Sequence, residues 1–215
     1  MKPSNALLAL AILVCSPLAL RAQQNEKAFL DSLASFKTAA VAVPEAAPAA
    51  LKEEAPAKAA GVKESYDPEL GKKLAAAAEA GNIGTFRGQC YAFVAHHMDA
   101  AGILGFNDWA AMGIEPDFSD HAADFAVWAA NNQEKMRREM KLAILPTPEN
   151  KEEVPLGSIL VYDRGWCDFS SKSGHIEVLT APDKACSDGC EGLDQNCFAD
   201  PAIREHVHVI IPVRG

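Results

Sequence analysis

The chain has 215 residues, enough for one domain with extensions, and 49% of them are hydrophobic, so a single sizeable core is expected. Its formal charge is -9, from 29 acidic against 20 basic side chains scattered along the chain. An acidic surface has nothing with which to neutralise a phosphate backbone or an anionic bilayer, which argues against nucleic acid and anionic membrane as partners.

In chain order, Lys2 precedes an apolar run from Ala6 to Leu20, and Leu20-Arg21-Ala22 offers a small-residue cleavage site before Gln23. Residues 1–22 therefore read as a secretory signal peptide, too short and too soon followed by polar residues for a transmembrane helix. Cys15 lies within the run, but Val14 before it is too large for a lipoprotein cleavage site. The expected product is soluble, secreted or periplasmic, with no membrane insertion after signal cleavage. A short apolar stripe follows at Phe29, Leu30, Leu33 and Phe36, then residues 38–63 are mostly Ala, Pro, Glu and Lys without an aromatic residue. Residues 23–64 read as a flexible leader and linker, unable to bury enough surface to fold. The domain is expected over 65–215.

Asp67-Pro68-Glu69-Leu70 is a helix start, with Asp67 as cap and proline at the first helical position, and the helix runs through alanines to Gly81. Gly81, Gly84 and Gly88 break the chain into a loop. A second helix starts at Gln89 or Cys90, with Cys90, Phe93, Val94, His97, Ala101 and Leu104 at helical spacing. A third is expected from about Ser119 to Met140, capped by Ser119 or Asp120, with Phe125, Trp128 and Met136 buried. Pro146, Pro148 and Pro155 then mark a connecting loop. Strands are predicted over 157–162, 174–180 and 206–213, with a polar connection over 163–173. The stretch 185–197 is one strand with a disulfide-held loop, or loop throughout.

Without Cys15 the exported chain keeps Cys90, Cys167, Cys186, Cys190 and Cys197, an odd number. Four of them lie in the last third, where an oxidising compartment favours pairing, and spacing does not choose among their three connectivities. Cys90 is the one left over. It follows the Arg87-Gly88-Gln89 turn at a helix N-terminus, whose partial positive charge favours a negatively charged sulfur. Cys90 is therefore the candidate nucleophile. A nucleophilic cysteine needs a base within hydrogen-bond reach and a third group to orient that base. His175, at the mouth of a strand after Ser173-Gly174, is the candidate base. Glu177 shares its strand face, but positions two apart on a strand are separated by about 6.6 Å. Asp188 on a neighbouring strand would lie closer, at about 4.5–5.5 Å between Cβ atoms, so Asp188 is preferred as the third residue with Glu177 as the alternative. His206-x-His208 places two imidazoles on one strand face at a spacing seen in zinc peptidases, with His121 and Asp124 as the possible further ligands. No second metal motif surrounds them, and the thiol reading ranks above it.

Gly88-Gln89-Cys90-Tyr91-Ala92-Phe93-Val94, then Pro155-Leu156-Gly157-Ser158-Ile159-Leu160-Val161-Tyr162, then Ser173-Gly174-His175-Ile176-Glu177-Val178 resemble the CHAP and NlpC-like amidohydrolase/peptidase families of cell-wall hydrolases. The resemblance spans about residues 66–215. It implies an α+β, papain-like fold with N-terminal helices packed on a small antiparallel sheet. It also implies Cys90 as nucleophile, His175 as base and the Cys90 main-chain N–H as one oxyanion donor. The families' third polar residue usually lies on the strand after the histidine strand, which matches Asp188 in order. The implied function is cleavage of amide bonds in peptidoglycan, as endopeptidase or N-acetylmuramoyl-alanine amidase, by a monomer using neither cofactor nor metal. The four cysteines near the histidine strand depart from the family pattern, so substrate preference does not carry over. Two other readings stand beside it: a cysteine peptidase acting on proteins, and a non-catalytic, disulfide-stapled secreted binding domain in which Cys90 is inert.

Overall fold

A computed structural model describes residues 65–114 and 122–215. The expected signal peptide and leader, and Ser119, Asp120 and His121, lie outside the described residues. Asp67 caps the first helix, α1 (Pro68–Gly81), its Oδ1 accepting from Glu69 N at 3.0 Å and Leu70 N at 3.1 Å. The face at Gly71, Leu74, Ala75 and Ala78 is buried, the i, i+3, i+4, i+7 pattern of a helix lying on a core. Helix α2 (Cys90–Ala100) follows, with no side chain capping its first turn. Cys90, Phe93, Val94 and His97 of the expected stripe are buried, and so are Tyr91, Ala92, Ala95 and Met98, so α2 is enclosed on nearly every side, while Ala101 and Leu104 fall beyond its end and are half-buried.

Beyond a short α3 (Trp109–Met112), the expected third helix is divided by Asn132 into α4 (Ala122–Asn131) and α5 (Gln133–Met140). Phe125 and Met136 are buried as expected, whereas Trp128 is half-buried. Lys141, at φ 53°, then turns the chain into β1 (Leu142–Leu145), a strand where the loop ahead of Pro146 was expected. Four apolar residues carry no periodicity that separates strand from loop, and only pairing with the last strand decides it. The remaining strands are β2 (Ile159–Tyr162), β3 (His175–Ala181), β4 (Lys184–Cys186), β5 (Cys190–Gly192) and β6 (Val207–Pro212). They form one antiparallel sheet in the order β1-β6-β2-β3-β4-β5. The cysteine-rich stretch is thus a β4–β5 hairpin followed by two single-turn helices, α6 (Asn196–Ala199) and α7 (Pro201–Arg204). The fold is α+β, with the helices packed on an antiparallel sheet.

Alternation along the strands separates two apolar layers. Ile159, Val161, Ile176, Val178 and Ile210 pack with α1, α2 and α4 on one face. Leu160, Tyr162, Leu179, Val209 and Ile211 pack on the other with Phe169, Cys197 and Phe198. Central strand β2 is covered on both faces, which explains its unbroken Ile-Leu-Val-Tyr run. Helix α1 meets the entry to β2 backbone on backbone: a Cβ at Gly157 would stand 2.1 Å from Gly71 O, and Gly157 has φ +73°. Tyr66 Oη fastens the same joint by donating to Leu156 O at 2.7 Å.

Candidate active site

The site is assembled at the start of β3, where the two layers meet. Gly88 at φ +72° and Gln89 at φ -115° turn the chain so that Cys90 becomes the first residue of α2. Cys90 is the free cysteine among the described residues, and 9% of its surface is exposed. The other four pair as Cys167–Cys197 and Cys186–Cys190. In a chain-entropy account the first closes the longer loop and stabilises the fold by about 4 kcal/mol, the second by about 2 kcal/mol.

His175 opens β3 opposite Tyr162 on β2. It lines the same cleft as Cys90, and its Nε2 lies 3.6 Å from Glu177 Oε2 and 3.5 Å from Glu191 Oε1. Burial by itself lowers the basicity of His175. The Cys90 sulfur and the Glu177 carboxylate favour the imidazolium more strongly and push the pKa up to about 10. Phe169 stacks on the ring at 4.2 Å between centroids, and Phe86, 52% exposed, meets it edge-on at 6.4 Å. Tyr162 Oη donates to Glu177 Oε1 at 2.8 Å, which fixes the carboxylate and leaves Oε2 facing His175.

This geometry corrects the expected orientation of the base. Glu177, ranked as the alternative because of strand spacing, stands beside His175, since both side chains are long enough to close the gap between their backbone positions. Asp188 is committed to the turn in front of Cys90. Its Oδ2 accepts from Arg87 N at 2.6 Å and Gln89 N at 3.2 Å, and its Oδ1 accepts from Ser187 Oγ at 3.1 Å. Its carbonyl accepts from Ile83 N at 2.9 Å. The Cys186–Cys190 bridge ties the hairpin that presents Asp188. The buried His97, kept neutral as burial lowers its pKa, donates from Nε2 to Ser187 O at 3.0 Å beneath it. Asp188 thus holds the turn that carries Cys90. Asp188→Ala is expected to leave two part-buried N–H groups without their acceptor and to cost about 1–3 kcal/mol in urea unfolding. An unchanged midpoint would mean that the turn holds itself.

No family model, curated protein or solved structure matches the chain. The chemistry of the site is therefore read from its own residues.

Cys90, His175 and Glu177 open into a cleft of about 460 Å³. Asp168, Glu177, Asp188, Glu191 and Asp194 line it, and among the described residues no lysine or arginine does. Burial, followed by the charge of Glu177, pushes the Glu191 pKa upward against the opposing effect of His175. Among the described residues, donor atoms of His175, Glu177 and Glu191 lie within 4.8 Å of one another, close enough to share a cation. His206 and His208 lie elsewhere and converge on one carboxylate: His206 Nδ1 is 3.0 Å from Asp163 Oδ2, and His208 Nε2 is 3.0 Å from Asp163 Oδ1. Asp124 pairs with Arg164 at 2.9 Å. His121 lies outside the described residues.

Three contributors escaped sequence reasoning. Phe169 lies in the connection read only as polar, Glu191 on the second strand of a stretch read as one strand or as loop, and Phe86 in a glycine loop. For Tyr162 a signal existed: pairing the two predicted strands in register sets it opposite His175.

Proposed function

We propose that the protein is an exported, papain-like thiol hydrolase that cleaves amide bonds in peptidoglycan, as endopeptidase or N-acetylmuramoyl-alanine amidase. The observation that supports this reading is that the free Cys90, at the start of α2, and His175, at the start of β3, line one open cleft, where the Cys90 sulfur and Glu177 favour the protonated imidazole. The two disulfides support export, because such bonds persist in oxidising compartments. Among the described residues no helix is long and apolar enough to cross a membrane. The cell-wall substrate rests on the sequence resemblance.

In the proposed reaction the Cys90 sulfur attacks the substrate carbonyl carbon. The developing oxyanion is received by main-chain N–H groups at the uncapped start of α2, including that of Cys90. The His175 imidazolium gives its proton to the departing amine, and the acyl group remains on sulfur as a thioester. Neutral His175 then takes a proton from water, which hydrolyses the thioester and restores the thiol pair. Glu177, itself held by Tyr162, steadies the imidazole and its charge.

Alkylation tests the nucleophile directly. Iodoacetamide at neutral pH is expected to modify Cys90 faster than a free thiol model; modification no faster than the model would favour the non-catalytic domain. The pH profile tests the base. Because the His175 pKa is raised, the imidazolium should persist well above neutrality, and the alkaline limb of activity should approach 10. Glu177→Gln removes a carboxylate that favours the charged form, so burial counts for more and that limb should move toward lower pH. By the same linkage, His175 contributes stability that is fully present below its unfolded value of about 6.5 and is lost as the pH rises toward the folded value. An alkaline limb unmoved by Glu177→Gln would remove Glu177 from the site.

A further inference from the structure

Two polar atoms at the cleft floor are buried without hydrogen-bond partners: His175 Nε2 and Glu177 Oε2. Their residues are 7% and 1% exposed. A separation of 3.6 Å is too long for a hydrogen bond, and so is the 3.5 Å from the same nitrogen to Glu191 Oε1. Two carboxylates and a ring nitrogen thus face one another across a gap that none of them closes. Leaving such groups unsatisfied is costly unless something occupies the space.

The two spacings from His175 Nε2 match the edges of a metal polyhedron, and the two carboxylates lie within 4.8 Å of each other. Four donors at about 2.0–2.2 Å around a tetrahedral ion stand about 3.3–3.6 Å apart. We infer that His175 Nε2, Glu177 Oε2 and Glu191 Oε1 form a binding site for a first-row divalent cation such as zinc, with the fourth position open to the cleft. An imidazole with two carboxylates suits zinc, whereas magnesium and calcium prefer oxygen alone. The Tyr162 Oη bond to Glu177 Oε1 orients the carboxylate with Oε2 toward the gap, as outer partners of metal ligands do. The sulfur of Cys90 is not among the converging donors.

The consequence for catalysis rests on the thiol hydrolase reading. A cation on Nε2 displaces the proton there, so the imidazolium that gives a proton to the departing amine no longer forms. Zinc then acts as a reversible inhibitor by occupying a nitrogen of the base.

Calorimetric titration of the full chain with zinc chloride tests the site without reference to activity. Glu191 is the partly exposed ligand, 35% at its side chain, so its replacement spares the core. Glu191→Gln is expected to weaken zinc binding by about tenfold or more, while Cys90→Ser leaves it unchanged. Cobalt(II) in place of zinc should give the visible bands of a four-coordinate nitrogen and oxygen site without a thiolate charge-transfer band. Absent zinc binding, binding indifferent to Glu191→Gln, or binding abolished by His208→Asn instead would overturn the inference. Zinc should also suppress wild-type hydrolysis, with recovery on adding EDTA. A chain that binds zinc in the expected way but hydrolyses nothing with or without EDTA would sink the hydrolase reading and leave the cation site standing.

Discussion

Cys90→Ala is expected to reduce the release of peptide fragments from purified cell-wall sacculi by about a thousandfold or more, to the background rate. The substitution removes one sulfur atom from a position that borders the cleft, so the domain should remain folded and its unfolding midpoint should change little. His175→Ala should cost as much, and the double variant no more than either single one, because nucleophile and base act as a unit. Mass analysis of the fragments then identifies the bond: new amino termini on stem peptides for an endopeptidase, freed lactyl groups for an amidase. Identical fragments from wild type and Cys90→Ala would defeat the enzymatic reading. Digestion of unrelated proteins with sacculi left intact would keep the chemistry and change the target.

The second large effect is structural. Gly157→Ala would force a Cβ to 2.1 Å from Gly71 O and 2.5 Å from Gly71 Cα, against helix backbone that has no rotamer with which to yield. The added strain of φ +73° acts in the same direction. A loss of about 4 kcal/mol or more is expected, set against total stabilities of about 5–15 kcal/mol, so the variant should be largely unfolded or strongly shifted in denaturant titration. Gly84→Ala supplies the control. It has a similar φ of +75° with nothing within 4 Å, so conformational strain acts alone and the cost should be about 1–2 kcal/mol. Equal losses for the two variants would mean that the α1–β2 joint moves apart freely.

Periodicity and punctuation made much of the scaffold legible. Asp67-Pro68 marked the start of α1, Gly88 the turn ahead of α2, and the alternation after Gly174 marked β3. The expected helix over 119–140 ran through Asn132 because an apolar stripe does not register one interrupted turn. Strand β1 and the β4–β5 hairpin were too short to carry a period of their own and exist through pairing with β6 and β3.

At the site, the sequence by itself singled out Cys90 as the odd cysteine at a helix start and His175 as a histidine at a strand mouth. Both signals are local, because an N-terminal turn and a strand entry are written in adjacent residues. The acidic partner was not local. Strand spacing favoured Asp188 over Glu177, yet the direction and reach of side chains decided otherwise: Glu177 lies along the strand beside His175, and Asp188 folds under the Cys90 turn. Glu191 entered only because β5 packs next to β4 at the edge of the sheet, a long-range pairing that no spacing in the chain encodes. The positions of Cys90 and His175 were thus written in local sequence. The carboxylates around it, and the cation site they form with His175, arise from tertiary structure, because their convergence depends on which strands pair and in which register.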